Sequence, residues 1–197
     1  GAKGGEYGGA ARIYKGIKDG NAREWVHVDA GGENDEDRTA DDSLERLALG
    51  TSLEHAVPVA EFRSDGKSFV DPVSRYRHYA DAYRNGELDE SFSDRTAWEM
   101  RLVSNCDAPD DQLAWGRQML RTYRPDLVRL EDMKWRYCNI VHTDVVYTHP
   151  PFDEKTYQDI ISGGGECGPR AWFGRYACRC FGIPVWGCKQ PGHAAMT

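Results

Sequence analysis

Ser162-Gly163-Gly164-Gly165-Glu166-Cys167-Gly168-Pro169-Arg170 is the stretch on which the reading of this chain turns. A glycine-rich loop delivers one cysteine to the start of a helix. Pro169 falls in the first helical turn, where no intrahelical N–H bond is lost. The helix is expected to run to about Phe181 and to stop at Gly182, with Pro184 just beyond. Trp172, Phe173, Tyr176, Ala177, Cys180 and Phe181 cover much of its circumference, as in a buried central helix. A thiol at a helix start faces unsatisfied N–H groups at the positive end of the dipole. Both effects favour the thiolate, which is the nucleophilic form. The Cys167 N–H is placed to join an oxyanion hole, and the glycines let a substrate backbone approach closely.

Beyond the helix, Pro184-Val185-Trp186-Gly187-Cys188 reads as a strand and Lys189-Gln190-Pro191-Gly192 as a turn. His193-Ala194-Ala195-Met196 then starts a return strand. Folded back, that strand would carry His193 over the helix start, within about 4 Å of the Cys167 sulfur. A neutral imidazole there takes the thiol proton and later protonates the leaving group.

Upstream, the pattern is helical from about residue 93. Ser93 or Asp94 is a candidate cap for a helix through Asn105, and Asp110 or Asp111 for a second ending before Pro125. Leu127 to His142 reads as a third, and Val145-Val146-Tyr147 as a short extended piece. Asp153 is a candidate cap for a short helix holding Tyr157, Ile160 and Ile161. Residues 1–92 read instead as a β- and loop-rich region of unknown type. Arg12–Ile17 and Glu24–Val28 alternate around Asp19-Gly20-Asn21, a hairpin turn signal. Val57–Phe62 and Ser68–Val70 flank a second turn at Ser64-Asp65-Gly66-Lys67. Two regions are therefore expected, 1–92 and 93–197.

The 197 residues carry a net charge of -7. That excess sits between Asp29 and Glu45, where eight carboxylates face Arg38 alone. This run reads as a solvated acidic loop rather than a calcium loop, whose Gly and closing Glu are misplaced here. No basic stripe suited to nucleic-acid phosphates is visible. No stretch is long and apolar enough for a membrane span. The six cysteines include no Cys-x-x-Cys, and neither a metal site nor a cofactor site is read from the sequence. Cys178, Cys180 and Cys188 are expected to be core thiols or to include one disulfide. His142 and His149 read as ordinary polar residues, and Arg170, Arg175 and Arg179 as structurally paired in preference to lining a groove for an acidic substrate. Trp98 and Trp135 are candidate cleft walls. The cysteine usage leaves an extracellular or a cytoplasmic location equally open.

Gly-x-Cys at a helix start, then Cys178-Arg179-Cys180-Phe181-Gly182-Ile183-Pro184-Val185, then a strand opening His193-Ala194, resembles the transglutaminase-like superfamily of thiol enzymes. Asn139–Tyr147, the Pro150-Pro151 break and Tyr157–Gly163 resemble that family's lead-in to its nucleophile. The resemblance covers roughly residues 95–197. It implies an α+β, papain-like core, with the nucleophile helix packed on an antiparallel sheet, and a Cys-His-Asp triad. Cys167 maps onto the nucleophile and His193 onto the base. The acidic member would stand on a further strand past Thr197, supplied by a missing C-terminal segment or a second polypeptide. The implied function is a thiol acyltransferase, or an amide or peptide hydrolase, acting on a protein or peptide through a Cys thioester. The alternative is a catalytically silent structural or protein-binding module of the same fold.

Overall fold

The computed structural model describes residues 4–20, 35–62, 64–149 and 156–197. Nine α-helices and one antiparallel strand pair are found among them, a mixed and mostly helical architecture compatible with the α+β class. The helices are α1 (Gly4–Gly20), α2 (Asp35–Glu54), α3 (Pro72–Arg84), α4 (Ala97–Ser104) and α5 (Asp110–Tyr123). They continue with α6 (Pro125–Val128), α7 (Ile140–Thr143), α8 (Tyr157–Gly163) and α9 (Cys167–Cys180). The strands are β1 (Gly187–Gln190) and β2 (His193–Met196). None of the described helices is long and apolar enough to cross a membrane.

The N-terminal region is helical, which corrects the strand reading of Arg12–Ile17. Ala10 and Ile17 are buried and Ile13 and Tyr14 pack on the core, so the apolar spacing is three and four rather than two. The acidic run is likewise not a loop from Asp35 onward. It forms the first half of α2. The second half buries Leu44, Leu47, Ala48 and Thr51, a regular helical stripe. The proposed strand Glu24–Val28, the acidic residues Asp29 and Glu33 and the Pro150-Pro151 break lie outside the described residues, as does the proposed cap Asp153.

Between Val57 and Val70 the expected hairpin is reduced to one bridge, Ala60 with Phe69. Two backbone bonds flank it, Glu61 N–H to Ser68 O at 3.0 Å and Val70 N–H to Val59 O at 2.9 Å. Its turn places Asp65 and Gly66 at φ +53° and +72°, a region that aspartate and glycine tolerate.

In the second half the punctuation residues act locally. Thr96 caps α4 in a reciprocal capping box with Glu99, so Ser93 and Asp94 fall in the preceding 3₁₀ turn, Glu90–Asp94. α5 ends at Tyr123, and Pro125 opens the short α6. The continuous helix expected from Leu127 to His142 does not form. Met133 and Trp135 are exposed, so no apolar stripe rewards a helix there. Instead Asp132 accepts from the Lys134 N–H, Arg136 closes back on the Leu130 carbonyl, and Tyr137 takes φ +64°.

Buried side chains tie these pieces into one contiguous core. It runs from Ile17 and Leu47 through Tyr76, Tyr79, Met100 and Leu113 to Phe173, Tyr176 and Val185. Each fully buried Leu or Phe contributes about 1.5–3 kcal/mol. Arg75 of α3 is fully buried and organises the link between α4 and α5. Its guanidinium donates to the carbonyls of Ser104, Cys106 and Ala108 and pairs with Asp110 at 2.6 Å. α9 packs on α5, α7, α8 and both strands, and so has the central place its sequence implied.

Candidate functional site

The loop before α9 is shaped by the backbone. Gly164 closes α8 at φ +85°, a conformation only glycine adopts without strain. Its N–H bonds the Ile160 carbonyl at 2.8 Å. Gly165 then forms a parallel bridge with Tyr147. The Gly165 N–H donates to Val146 O at 3.0 Å, and the Thr148 N–H to Gly165 O at 3.2 Å. The extended piece expected at Val145–Tyr147 thus serves as a brace for the glycine loop. Glu166 is the N-cap residue of α9, and its carboxylate pairs with the His149 ring instead of capping the helix.

Cys167 is the first residue of α9 and is half-buried. It lines a cleft of about 650 Å³. Ala171 and Arg170 continue the floor, Trp135, Val141 and His142 form one wall, and His193 to Thr197 form the other. Arg170 is anchored on the Val141 carbonyl through Nε at 3.1 Å and Nη2 at 2.5 Å. Its guanidinium lies 5.6 Å from the centre of the Tyr147 ring.

The second wall is the hairpin. Gln190 pairs with His193 and Gly187 with Met196. Gly192 supplies the positive φ of the connecting turn, at +72°. Reciprocal bonds between Trp186 and Thr197, at 2.8 and 3.0 Å, carry the ladder one pair further. Met196 lies over Gly174, where an added Cβ would stand 2.5 Å from the methionine sulfur. That contact seats β2 along α9.

Cys167 and His193 therefore line one cleft from two elements. His193 stands at the exposed first position of β2 and has no carboxylate partner among the described residues. Of the two tryptophans named as candidate walls, Trp135 lines this cleft and Trp98 lines a different pocket. His142, read as an ordinary polar residue, also lines the cleft, its ring edge-on to Trp135 at 5.2 Å. No local signal marks it, because what brings it there is the turn at Tyr137. The pairing of His149 with Glu166 is equally invisible in sequence, since the residues are 17 positions apart.

All six cysteines are free. Cys106, Cys178 and Cys180 are buried, and burial pushes the thiols of Cys106 and Cys180 up. Cys138, at the cleft wall, has a thiol hydrogen-bonded with that of Cys178, which holds Cys138 below and Cys178 above the ordinary thiol range. Arg179 is buried and donates to the carbonyls of Leu102 and Val185 at 3.0 Å each.

Comparison with known proteins returned no match, whether to family models, curated proteins or solved structures.

Proposed function

We propose that the chain carries the nucleophile and base of a transglutaminase-like thiol enzyme, with a papain-like arrangement of α9 against the β1–β2 hairpin. The observation that carries this reading is a half-buried cysteine at the start of a long helix, sharing a cleft with a histidine on the returning strand. In the proposed reaction His193 takes the proton of Cys167, and the sulfur attacks a carboxamide or peptide carbonyl. The N–H groups of the first helical turn face the oxyanion that develops. The tetrahedral intermediate collapses to a thioester as the leaving amine takes the proton back from the imidazole. Water or a second amine then releases the acyl group, giving hydrolysis or transfer. The apolar cleft walls suit a peptide segment lying across the helix start.

The test is trapping of the acyl-enzyme. The chain is incubated with glutamine-containing peptides and hydroxylamine, and both adducts on Cys167 and peptide hydroxamate are sought by mass spectrometry. Product that is lost in Cys167→Ala and in His193→Ala supports the enzyme. A second reading, a silent binding module, is favoured by one observation: among the described residues no carboxylate orients His193. Absence of a carboxylate partner costs a triad about 10⁴ in turnover. No adduct and no hydroxamate with the folded chain would favour that module.

A further inference from the structure

A second pocket of about 230 Å³ shares no lining residue with the cleft. It is formed by the end of α2, by α4, by the later turns of α9, and by Val185–Gly187. Three guanidiniums line it, those of Arg101, Arg175 and Arg179, against a single carboxylate, Glu54. Glu54 is already committed. It pairs with Arg101 at 2.9 Å and also accepts from the Asn105 amide. Arg179 has two of its donors on backbone carbonyls and no ion pair among the described residues.

Arg175 is less satisfied still. Its Nε is buried without a hydrogen-bond partner, and the side chain makes no ion pair among the described residues. Burial and the neighbouring Arg179 hold it below the usual guanidinium range. The carboxylate that acts on it in the opposite sense is Asp107, whose oxygens are taken by Tyr157 and the Trp172 indole. Arg175 and Arg179 are one helical turn apart, a spacing at which like charges repel. A chain with an overall excess of acid has thus gathered uncompensated guanidiniums in one concavity.

We propose that this pocket binds a phosphate group, free or as a phosphomonoester, on the guanidiniums of Arg175 and Arg179. A planar fork of N–H donors matches a phosphate oxygen pair. The volume is below the several hundred Å³ typical of sites that enclose a whole cofactor, so a head group fits better than a complete nucleotide. Trp98 and Trp186 stand half-exposed at this pocket and offer flat surfaces to an aromatic or apolar ester group. The proposal is independent of any chemistry at Cys167.

The test is titration of the full chain with inorganic phosphate and with phenyl phosphate, followed by calorimetry and tryptophan emission. Saturable binding of phosphate is expected, with phenyl phosphate tighter because of the two indoles. Arg175→Gln should weaken both by about ten- to hundredfold, the loss expected for a charged hydrogen bond. Gly187→Ala provides a second test, since its Cβ would stand 2.6 Å from Arg175 Nη1 and displace the guanidinium. It should weaken phosphate binding without removing the arginine or its charge. Equal affinity for free phosphate and the aryl ester would remove the role given to the indoles. No saturable binding of either probe to the folded chain, or undiminished affinity in Arg175→Gln, would overturn the proposal.

Discussion

Tyr176 lies directly against Gly116, so that a Cβ on Gly116 would stand 2.5 Å from the tyrosine oxygen and 2.8 Å from Cζ. The missing side chain lets α5 approach α9, and the Tyr176 hydroxyl donates to the Gln112 carbonyl one turn earlier. The ring also stacks on Tyr157 at 3.8 Å, so it has nowhere to move. Gly116→Ala should therefore destabilise the protein by about 3 kcal/mol, the upper range of overpacking in a rigid core. A urea midpoint within error of the parent would show that the helices can separate at no cost.

A second glycine holds the loop before Cys167. An alanine at Gly164 would be strained at φ +85° and would drive its Cβ into the Val146 carbonyl. Gly164→Ala should cost about 1–3 kcal/mol and alter the reactivity of Cys167. Gly168→Ala is the control, because nothing lies within 4 Å of its Cβ position. It should be neutral or slightly stabilising, since alanine favours the helix. Thermal melts of the two variants distinguish a strained loop from a general intolerance of side chains near Cys167.

Thiol reactivity should divide the cysteines by position. Cys106, Cys138, Cys178 and Cys180 are buried, whereas Cys167 and Cys188 are partly open. With iodoacetamide at about pH 6, Cys167 should alkylate fastest if the nucleophile reading holds. Peptide mapping after short exposures gives the rates. Equal labelling of Cys167 and Cys188 would argue for an ordinary thiol in the cleft.

Two histidines, His55 buried and His78 partly buried, set an acid limb to stability. Burial and Arg75 push His55 down to about 4, and burial with Arg117 and Arg75 pushes His78 down to about 3, from an ordinary value of 6.5. Both are neutral in the fold, so as pH falls below 6.5 the unfolded chain binds protons that the native chain refuses. Their contribution is complete above that value and is lost progressively towards pH 4 and 3. The double variant His55→Gln, His78→Gln should lose less stability between about pH 7 and about pH 5 than the parent. An unchanged difference in urea midpoints would place the acid sensitivity elsewhere.

Asp89 acts at lower pH. Burial alone would raise its carboxyl, but hydrogen bonds from Ser91, Tyr137 and Arg136 outweigh that and hold it below the usual carboxylate range. A carboxylate depressed in the fold stabilises above its unfolded pKa and loses that contribution as pH falls through the native one. Asp89→Asn should be less stable at neutral pH, and should lose less on acidification below about pH 4. A parallel acid transition in the variant and the parent would count against this role.

Features with a local cause can be read from the residues alone. Pro169, Gly182 and Pro184 bound α9, and Pro191-Gly192 turns the hairpin, because those residues restrict or release their own backbone angles. Pro125 ends α5 for the same reason. Cys167 at the start of a long helix and His193 at the start of a strand were legible from this punctuation. Elsewhere packing chooses between local alternatives. Arg12–Ile17 carries a short apolar pattern that fits either period, and burial of Ile17 and Ala10 against α2 and its neighbours selects the helix. Leu127–His142 has helical residues but exposed Met133 and Trp135, so the chain folds into turns that deliver Trp135 and His142 to the cleft wall. The pairing of His149 with Glu166 and the gathering of Arg101, Arg175 and Arg179 depend on which distant segments meet. That is set by burial of one shared core, which no single stretch of sequence encodes.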